Sequence, residues 1–345
     1  LNPLYYIILQ ILNLYLIYKN SLFQIFLLSF EISIKNYLMI LMTFTKEEQE
    51  KLEYSGYRFA GKHGHAAAKI CHWTKKSMKD EGVCYKEQFY GIQSHRCLQM
   101  SPAVPFCHQK CSFCWRDLSQ TKIHWEGEYD DPKTIIEDAI KAQNSLLCGF
   151  GGNPNVNRKK LEESTRPTNA AISLAGEPTL YPEIDELLAE FKKQGFSTFL
   201  VSNGMNWEKL GSLDCEPSQT YISLDAPNEK VYKELCNPQI DDAWSNLNKT
   251  LELLPSFNNN TAIRITSVKG KNMFDAADYA KLINKADPTY IEVKAYMFIG
   301  SSRKRLSLDN MPSYQEVYDF AEEIAEKTGR RISQESEVSR VILLE

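Results

Sequence analysis

An excess of positive charge is missing from this chain. Its 345 residues carry 40 Lys and Arg against 44 Asp and Glu, a formal net charge of −4. No global basic field draws in nucleic acid, so any such partner must be met by a local patch. A secretory signal is missing too. With nine cysteines, that absence favours reduced thiols and metal ligation over disulfides, in a reducing cytoplasm. An unbroken span is the third absence. A transmembrane helix needs about twenty mostly apolar residues, and the Leu-, Ile-, Tyr- and Phe-rich segment Leu1–Met42 is interrupted by Gln10, Asn13, Lys19, Asn20, Gln24 and Glu31. The first methionines are Met39 and Met42. The preferred reading is therefore translation from one of them, with residues 1–44 a hydrophobic segment that carries no function. A membrane anchor is the competing reading. What remains is ordinary for a globular protein: 43% apolar and 24% charged residues, in a length that suits one large α/β domain or two.

The chain is organised around Cys107-His108-Gln109-Lys110-Cys111-Ser112-Phe113-Cys114, a C-x₃-C-x₂-C loop. A [4Fe–4S] cluster normally takes four thiolates. Three in one short loop hold three irons and leave the fourth open to a ligand with its own amine and carboxylate. A structural zinc site is the competing reading. It needs a fourth Cys or His, and His108 sits too close to the first ligand to close a tetrahedron easily. The spacing, the apolar run Pro102–Phe106 and the aromatic Phe113 resemble the radical SAM superfamily. That resemblance implies a reduced cluster that splits S-adenosylmethionine (SAM) and a 5′-deoxyadenosyl radical that takes a hydrogen from substrate.

Upstream lie Cys71, Cys84 and Cys97, with twelve residues between each pair. Three more thiolates suggest a second cluster with an open iron. A zinc site completed by His72 or His95, or plain core cysteines, reads equally well from spacing alone. Lys86 stands two residues after Cys84; a lysine beside a metal centre forms a Schiff base with a keto acid if its pKa falls, and is otherwise a surface lysine. The stretch Gly56–Lys79 holds Lys62, His63, His65, Lys69, His72, Lys75, Lys76 and Lys79, which read as a solvated face or a phosphate-binding surface.

The paired sets C-x₁₂-C-x₁₂-C and C-x₃-C-x₂-C are similar to those of the 4-demethylwyosine synthase family, the tRNA wybutosine-biosynthesis enzymes. So are Gly149-Phe150-Gly151-Gly152-Asn153-Pro154, Ser173–Leu180 and Ile291-Glu292-Val293-Lys294-Ala295-Tyr296. The resemblance runs from about Tyr57 to the C-terminus and is of the archaeal type, without a flavodoxin domain. It implies an enzyme, a radical SAM carbon–carbon bond-forming lyase. Such an enzyme joins a two-carbon unit of pyruvate to N1-methylguanosine-37 of tRNA(Phe), closing the tricyclic imidazopurine. It also implies two [4Fe–4S] clusters, SAM, Lys86 as the pyruvate lysine, and an external electron donor such as flavodoxin or ferredoxin. The expected protein is a cytoplasmic monomer without membrane association. The alternative is a radical SAM enzyme acting on a small molecule or peptide, with an auxiliary cluster.

From Ala170 short apolar runs alternate with amphipathic helices, the mark of parallel βα units. The expected strands are Ala170–Ala175, Thr198–Ser202, Gln219–Asp225, Ala262–Val268 and Tyr290–Tyr296, after one near Gln99–Phe106. The expected helices include Asp131–Leu147, Ala276–Ala286 and Tyr314–Lys327, before a final extended segment over Arg331–Leu344. The predicted fold is α/β: a partial (βα)₆ TIM-like barrel of the radical SAM type over residues 99–345. Residues 45–98 form an N-terminal extension carrying the second cluster. Six units cannot close as eight do. Ligands gather at the C-terminal strand ends of such folds. This places Gly176 and Glu177 (in a Gly-Glu-Pro turn that resembles the superfamily's SAM-amine element, with Ala175 for its first Gly), Ser202 and Asn203, and Ser223 and Asp225 as SAM-binding candidates. Arg303-Lys304-Arg305, with Lys62–Lys79, Arg158–Lys160 and Arg330-Arg331, is expected to cradle an anticodon stem-loop, whose target base must be unstacked to reach a buried radical.

Overall fold

The computed structural model describes residues 43–345; the expectations placed on Leu1–Met42 lie outside them. Alternating side chains build one ten-stranded sheet, ordered β1-β2-β3-β4-β5-β6-β7-β8-β10-β9. Its centre is six parallel strands in chain order: β3 (Cys97–Ser101), β4 (Asn169–Ile172), β5 (Ser197–Ser202), β6 (Gln219–Ser223), β7 (Asn260–Ser267) and β8 (Tyr290–Ala295). Helices Pro132–Leu147, Ile184–Lys193, Trp207–Gly211, Glu229–Cys236, Ala276–Ala286 and Tyr314–Thr328 follow them in turn. The two ends of the sheet are not paired to each other among the described residues. This is the open, partial barrel that six βα units allow.

Helix boundaries follow local chemistry. Asp131 caps Pro132–Leu147 by accepting from the Thr134 N–H, with Pro132 in the first turn. Ser313 and Glu316 form a reciprocal capping box on Tyr314–Thr328, and Gly329 closes it with a φ of +70°. Both are strong start and stop signals. Apolar stripes such as Val317, Phe320, Ala321 and Ile324 bury against the sheet.

Both edges differ from the sequence expectation. The C-terminal segment is a hairpin, β9 (Ile332–Ser336) and β10 (Val341–Leu344), with β10 antiparallel to β8. At the other edge β1 (Arg58–Ala60) and β2 (Ala66–Ala68) add two antiparallel strands. The boundary drawn between residues 98 and 99 thus falls inside β3, and the extension shares the barrel's sheet. Strands of three residues, Arg-Phe-Ala and Ala-Ala-Ala, give little local signal. They form because helix Pro132–Leu147 packs directly on them, and Ala60, Ala66 and Ala68 are small enough to let Ile135, Ile136 and Ala139 close in. The basic stretch is therefore not one exposed face. His65 is fully buried, Lys69 lies over the rings of Tyr57 and Trp115, and Lys76 and Lys79 both pair with Glu81. Among the described residues no helix is long and apolar enough to cross a membrane.

Candidate active site

The C-x₃-C-x₂-C loop leaves β3 and is pinned from behind. Cys107 N–H donates to Lys122 O, Lys110 N–H to Asn237 O, and Ser112 N–H to Leu235 O. The last two acceptors lie at the C-terminal end of helix Glu229–Cys236, where Asn237 turns left-handed. Gln109 is buried; its amide donates to the Tyr232 hydroxyl at 2.7 Å and its Oε1 accepts from the Cys111 thiol at 3.2 Å. Arg305 donates to the carbonyl oxygens of Ser112 and Cys114.

In front, Gly176 passes over the loop with φ +73°; a Cβ there would lie 1.8 Å from Ala103 O. The Glu177 N–H donates to Phe106 O at 2.7 Å. Its carboxylate, 2% exposed, accepts from Asn203 N–H at 2.7 Å and from the Thr179 N–H and hydroxyl. Glu177 therefore ties the turn after β4 to the turn after β5, and its oxygens are already engaged. Asn203 accepts from Met205 N–H through Oδ1 and directs Nδ2 toward Cys107 Sγ at 3.9 Å. Ser202 Oγ accepts from Gly204 N–H and shapes the same turn. Asp225 accepts from Thr266 N–H at 2.6 Å; burial pushes its carboxyl up to about 6 against that bond and Arg264. Cys107, Cys111, Cys114, Gly176, Glu177, Ser202, Asn203, Ser223 and Asp225 all line one cavity of about 310 Å³.

Cys71, Cys84 and Cys97 line a second cavity, of about 470 Å³. Cys71 and Cys84 are the N-cap residues of two short helices and Cys97 opens β3. Lys86, in the first turn of helix Tyr85–Tyr90, is 8% exposed, so it is no surface lysine. Its Nζ lies 4.5 Å from the Phe199 ring centroid and 4.3 Å from that of Tyr221. Burial lowers its pKa, with Glu292 and Cys84 opposing. His95 meets Glu163 through Nε2 at 2.7 Å and does not line this cavity. The two cavities share Trp115, Ser173, Leu174, Val201, Arg264, Lys294 and Ile299 in their lining.

Each cavity offers three thiols, the number that a cubane with one open iron takes. All nine cysteines are free, and burial with mutual repulsion pushes Cys97 to about 12, while burial, eased by Arg116, does the same for Cys107. Iron would reverse this preference for the protonated thiol. Among the described residues no group of three His, Cys, Asp or Glu gathers as on a single ion. A cubane distributes its thiolates over separate irons and asks for a wider cradle.

Several residues escaped the sequence reading. Arg116 is a half-buried guanidinium beside Cys114 and Cys107, donating to Val104 O at 2.8 Å. Cys236 is buried against Cys111. Arg264, Glu292 and Lys294 project into the barrel. The available signal was a charged residue at every second position of an otherwise apolar buried strand, as in Ile291-Glu292-Val293-Lys294-Ala295. Within Arg303-Lys304-Arg305, Arg305 braces the cluster loop, while Arg303, which donates to Phe298 O through Nε, and Lys304 stay exposed.

Comparison with known proteins agrees with this geometry. A family model described as radical SAM superfamily matches residues 159–283, and one described as wyosine base formation matches residues 285–345. The S-adenosyl-L-methionine-dependent tRNA 4-demethylwyosine synthase of Pyrococcus horikoshii is 45% identical over 304 residues, covering 87% of this chain and 88% of that protein. A solved structure of TYW1 with a lysine-pyruvate adduct bound superposes with a TM-score of 0.80 at 36% identity, covering 88% of this chain and 96% of the other. A crystal structure of archaeal TYW1 gives a TM-score of 0.72 at 33% identity, with the same coverage. From near-half identity along most of both sequences, and from a fold shared over the same length, it follows that the chain belongs to the radical SAM family of tRNA 4-demethylwyosine synthases.

Proposed function

We propose that this chain makes the tricyclic imidazopurine of wyosine derivatives, joining a pyruvate-derived two-carbon unit to N1-methylguanosine-37 of tRNA(Phe). The observation that carries the reading is the pair of thiol-lined cavities with a common wall, one bordered by SAM-type turns and the other by a buried lysine. Cys107, Cys111 and Cys114 hold one [4Fe–4S] cluster; Cys71, Cys84 and Cys97 hold the second. The first cluster and SAM together supply a 5′-deoxyadenosyl radical able to take hydrogen from the N-methyl group. Everything else falls to the protein. Asn203, Ser223 and Asp225 offer donors and acceptors to SAM, and Glu177 positions their turns. The Lys86 amine, whose pKa burial lowers, attacks the keto carbon of pyruvate, and loss of water gives an imine.

The relatives' tRNA activity favours this reading over a radical SAM enzyme acting on a small molecule or peptide. An external one-electron donor such as flavodoxin or ferredoxin, a monomeric state and a cytoplasmic location complete the proposal. Its test is anaerobic reconstitution followed by an assay with methylated tRNA(Phe), pyruvate, SAM and dithionite. The expected result is about eight irons per chain and a tricyclic base that requires both tRNA and pyruvate. Product without pyruvate, or only four irons, overturns the second-cluster assignment.

A further inference from the structure

The wall between the two cavities holds more positive charge than its surroundings neutralise. Side chains on β7 and β8 alternate, so Arg264, Glu292 and Lys294 share the inward face. Arg264 is paired with Glu292 in the strand register, yet the Glu292 carboxylate is engaged elsewhere. It is fully buried and accepts from three tyrosine hydroxyls: Tyr85 at 3.1 Å, Tyr90 at 2.7 Å and Tyr221 at 3.0 Å. Lys294 Nζ lies 4.2 Å from the Tyr85 ring centroid, as Lys86 lies over Phe199 and Tyr221. The Arg264 Nε is buried and has no hydrogen-bond partner among the described residues. Three basic side chains thus share Glu292, whose oxygens are already taken, and the Asp225 carboxyl near Arg264, which accepts from Thr266 N–H. A buried guanidinium N–H without an acceptor is costly unless an anion completes it.

We propose that Arg264, with Lys294 beside it, is the carboxylate-binding site for the oxo acid, an inference that rests on the pyruvate reading above. A planar guanidinium fork matches a carboxylate in two parallel hydrogen bonds, which an ammonium cannot do. In an α-oxo acid the carboxylate is bonded directly to the keto carbon. Anchoring it at Arg264 orients that carbon toward Lys86, since all three cations line the same cavity of about 470 Å³. The amine adds to the keto carbon, water leaves, and the carboxylate stays intact and bound. The site therefore selects α-oxo acids over ketones and esters of the same size. Because Arg264 and Lys294 also line the cavity of the SAM-type turns, the anchored acid sits on the wall nearest the nucleoside.

The test uses the full, cluster-reconstituted chain without tRNA or SAM. Pyruvate or methyl pyruvate is added, the imine is reduced with borohydride, and the adduct on Lys86 is quantified by peptide mass spectrometry against ligand concentration. Wild type should prefer the acid to the ester. Arg264→Gln should raise half-saturating pyruvate at least tenfold and abolish the acid-over-ester preference. Arg264→Lys, which keeps the charge and loses the fork, should fall between, and gives the same readout if the glutamine variant folds poorly. Absence of any Lys86 adduct in wild type would overturn the pyruvate reading itself. A wild-type adduct with unchanged half-saturation and acid preference in both variants would overturn only the Arg264 assignment. So would a fall in bound iron to half in either variant, which would assign Arg264 to the second cluster instead.

Discussion

Gly176 has no room for a side chain. With φ at +73° and Ala103 O 1.8 Å from where a Cβ would sit, Gly176→Ala must displace either the turn after β4 or the loop that carries the cysteines. The expected cost is about 2–4 kcal/mol, read as a lower melting temperature and reduced iron content after reconstitution. His65 shows how a single residue departs from its sequence context. Its Nε2 accepts from Asp130 N–H at 2.9 Å and its Nδ1 faces Pro102 O at 2.7 Å. A backbone N–H can only donate and a carbonyl can only accept, so the ring is neutral with its proton on Nδ1. Burial lowers its pKa, with the Pro102 carbonyl and Asp130 opposing. The unfolded chain, with an ordinary imidazole near 6.5, then binds more protons than the folded one at acid pH. Stability from this group is present above about 6.5 and falls as pH drops below it. Melting temperature should decline from pH 7 to 5 in wild type, and the decline should be shallower in His65→Gln.

At the scale of elements, the helix Glu229–Cys236 matters more as a support than as packing. Its C-terminal carbonyls and Tyr232 hold the cysteine loop from behind. Tyr232→Phe removes the partner of a buried Gln109 amide, at a cost of about 1–3 kcal/mol. Faster bleaching of the visible cluster absorbance by an iron chelator is the expected sign, and an unchanged bleaching rate would dismiss the bracing role. The sequence was a good guide to elements whose signals are local. Helix Ala276–Ala286 was read at both ends, and Asp131-Pro132 marked the start of the long helix correctly. It was a poor guide to β1 and β2, because a run of only three residues becomes a strand only when a sheet edge and a helix face are already in place. The final extended segment split into β9 and β10 for the same reason: which neighbour a strand pairs with is a long-range choice.

For the whole molecule, the open sheet puts two thiol-lined cavities side by side with a common wall. Their chemistry should be separable. A variant with Cys71, Cys84 and Cys97 all changed to Ala should keep about four irons and still release 5′-deoxyadenosine from SAM and reductant, while forming no tricyclic base. Loss of SAM cleavage in that variant would show that the two sites form one unit. The net charge of −4 leaves tRNA docking to exposed lysines and arginines such as Lys304, since Arg305 is committed to the cysteine loop and Arg330 pairs with Asp287 at 2.9 Å. Docking contacts of this kind weaken with salt.

The sequence by itself determined the cysteine chemistry. Ligands within one short loop are brought together by the covalent chain, so their spacing, with the family resemblance it carries, points to the centre they make. It also determined the six βα units, because hydrophobic period and capping residues act within a few positions of each other. Only the tertiary structure decided that Lys86 is buried, that Glu177 is spent on backbone groups, and that Arg264 and Lys294 stand between the cavities. Each strand contributes only alternate residues to the interior, and strands far apart in sequence must lie in register before those side chains meet.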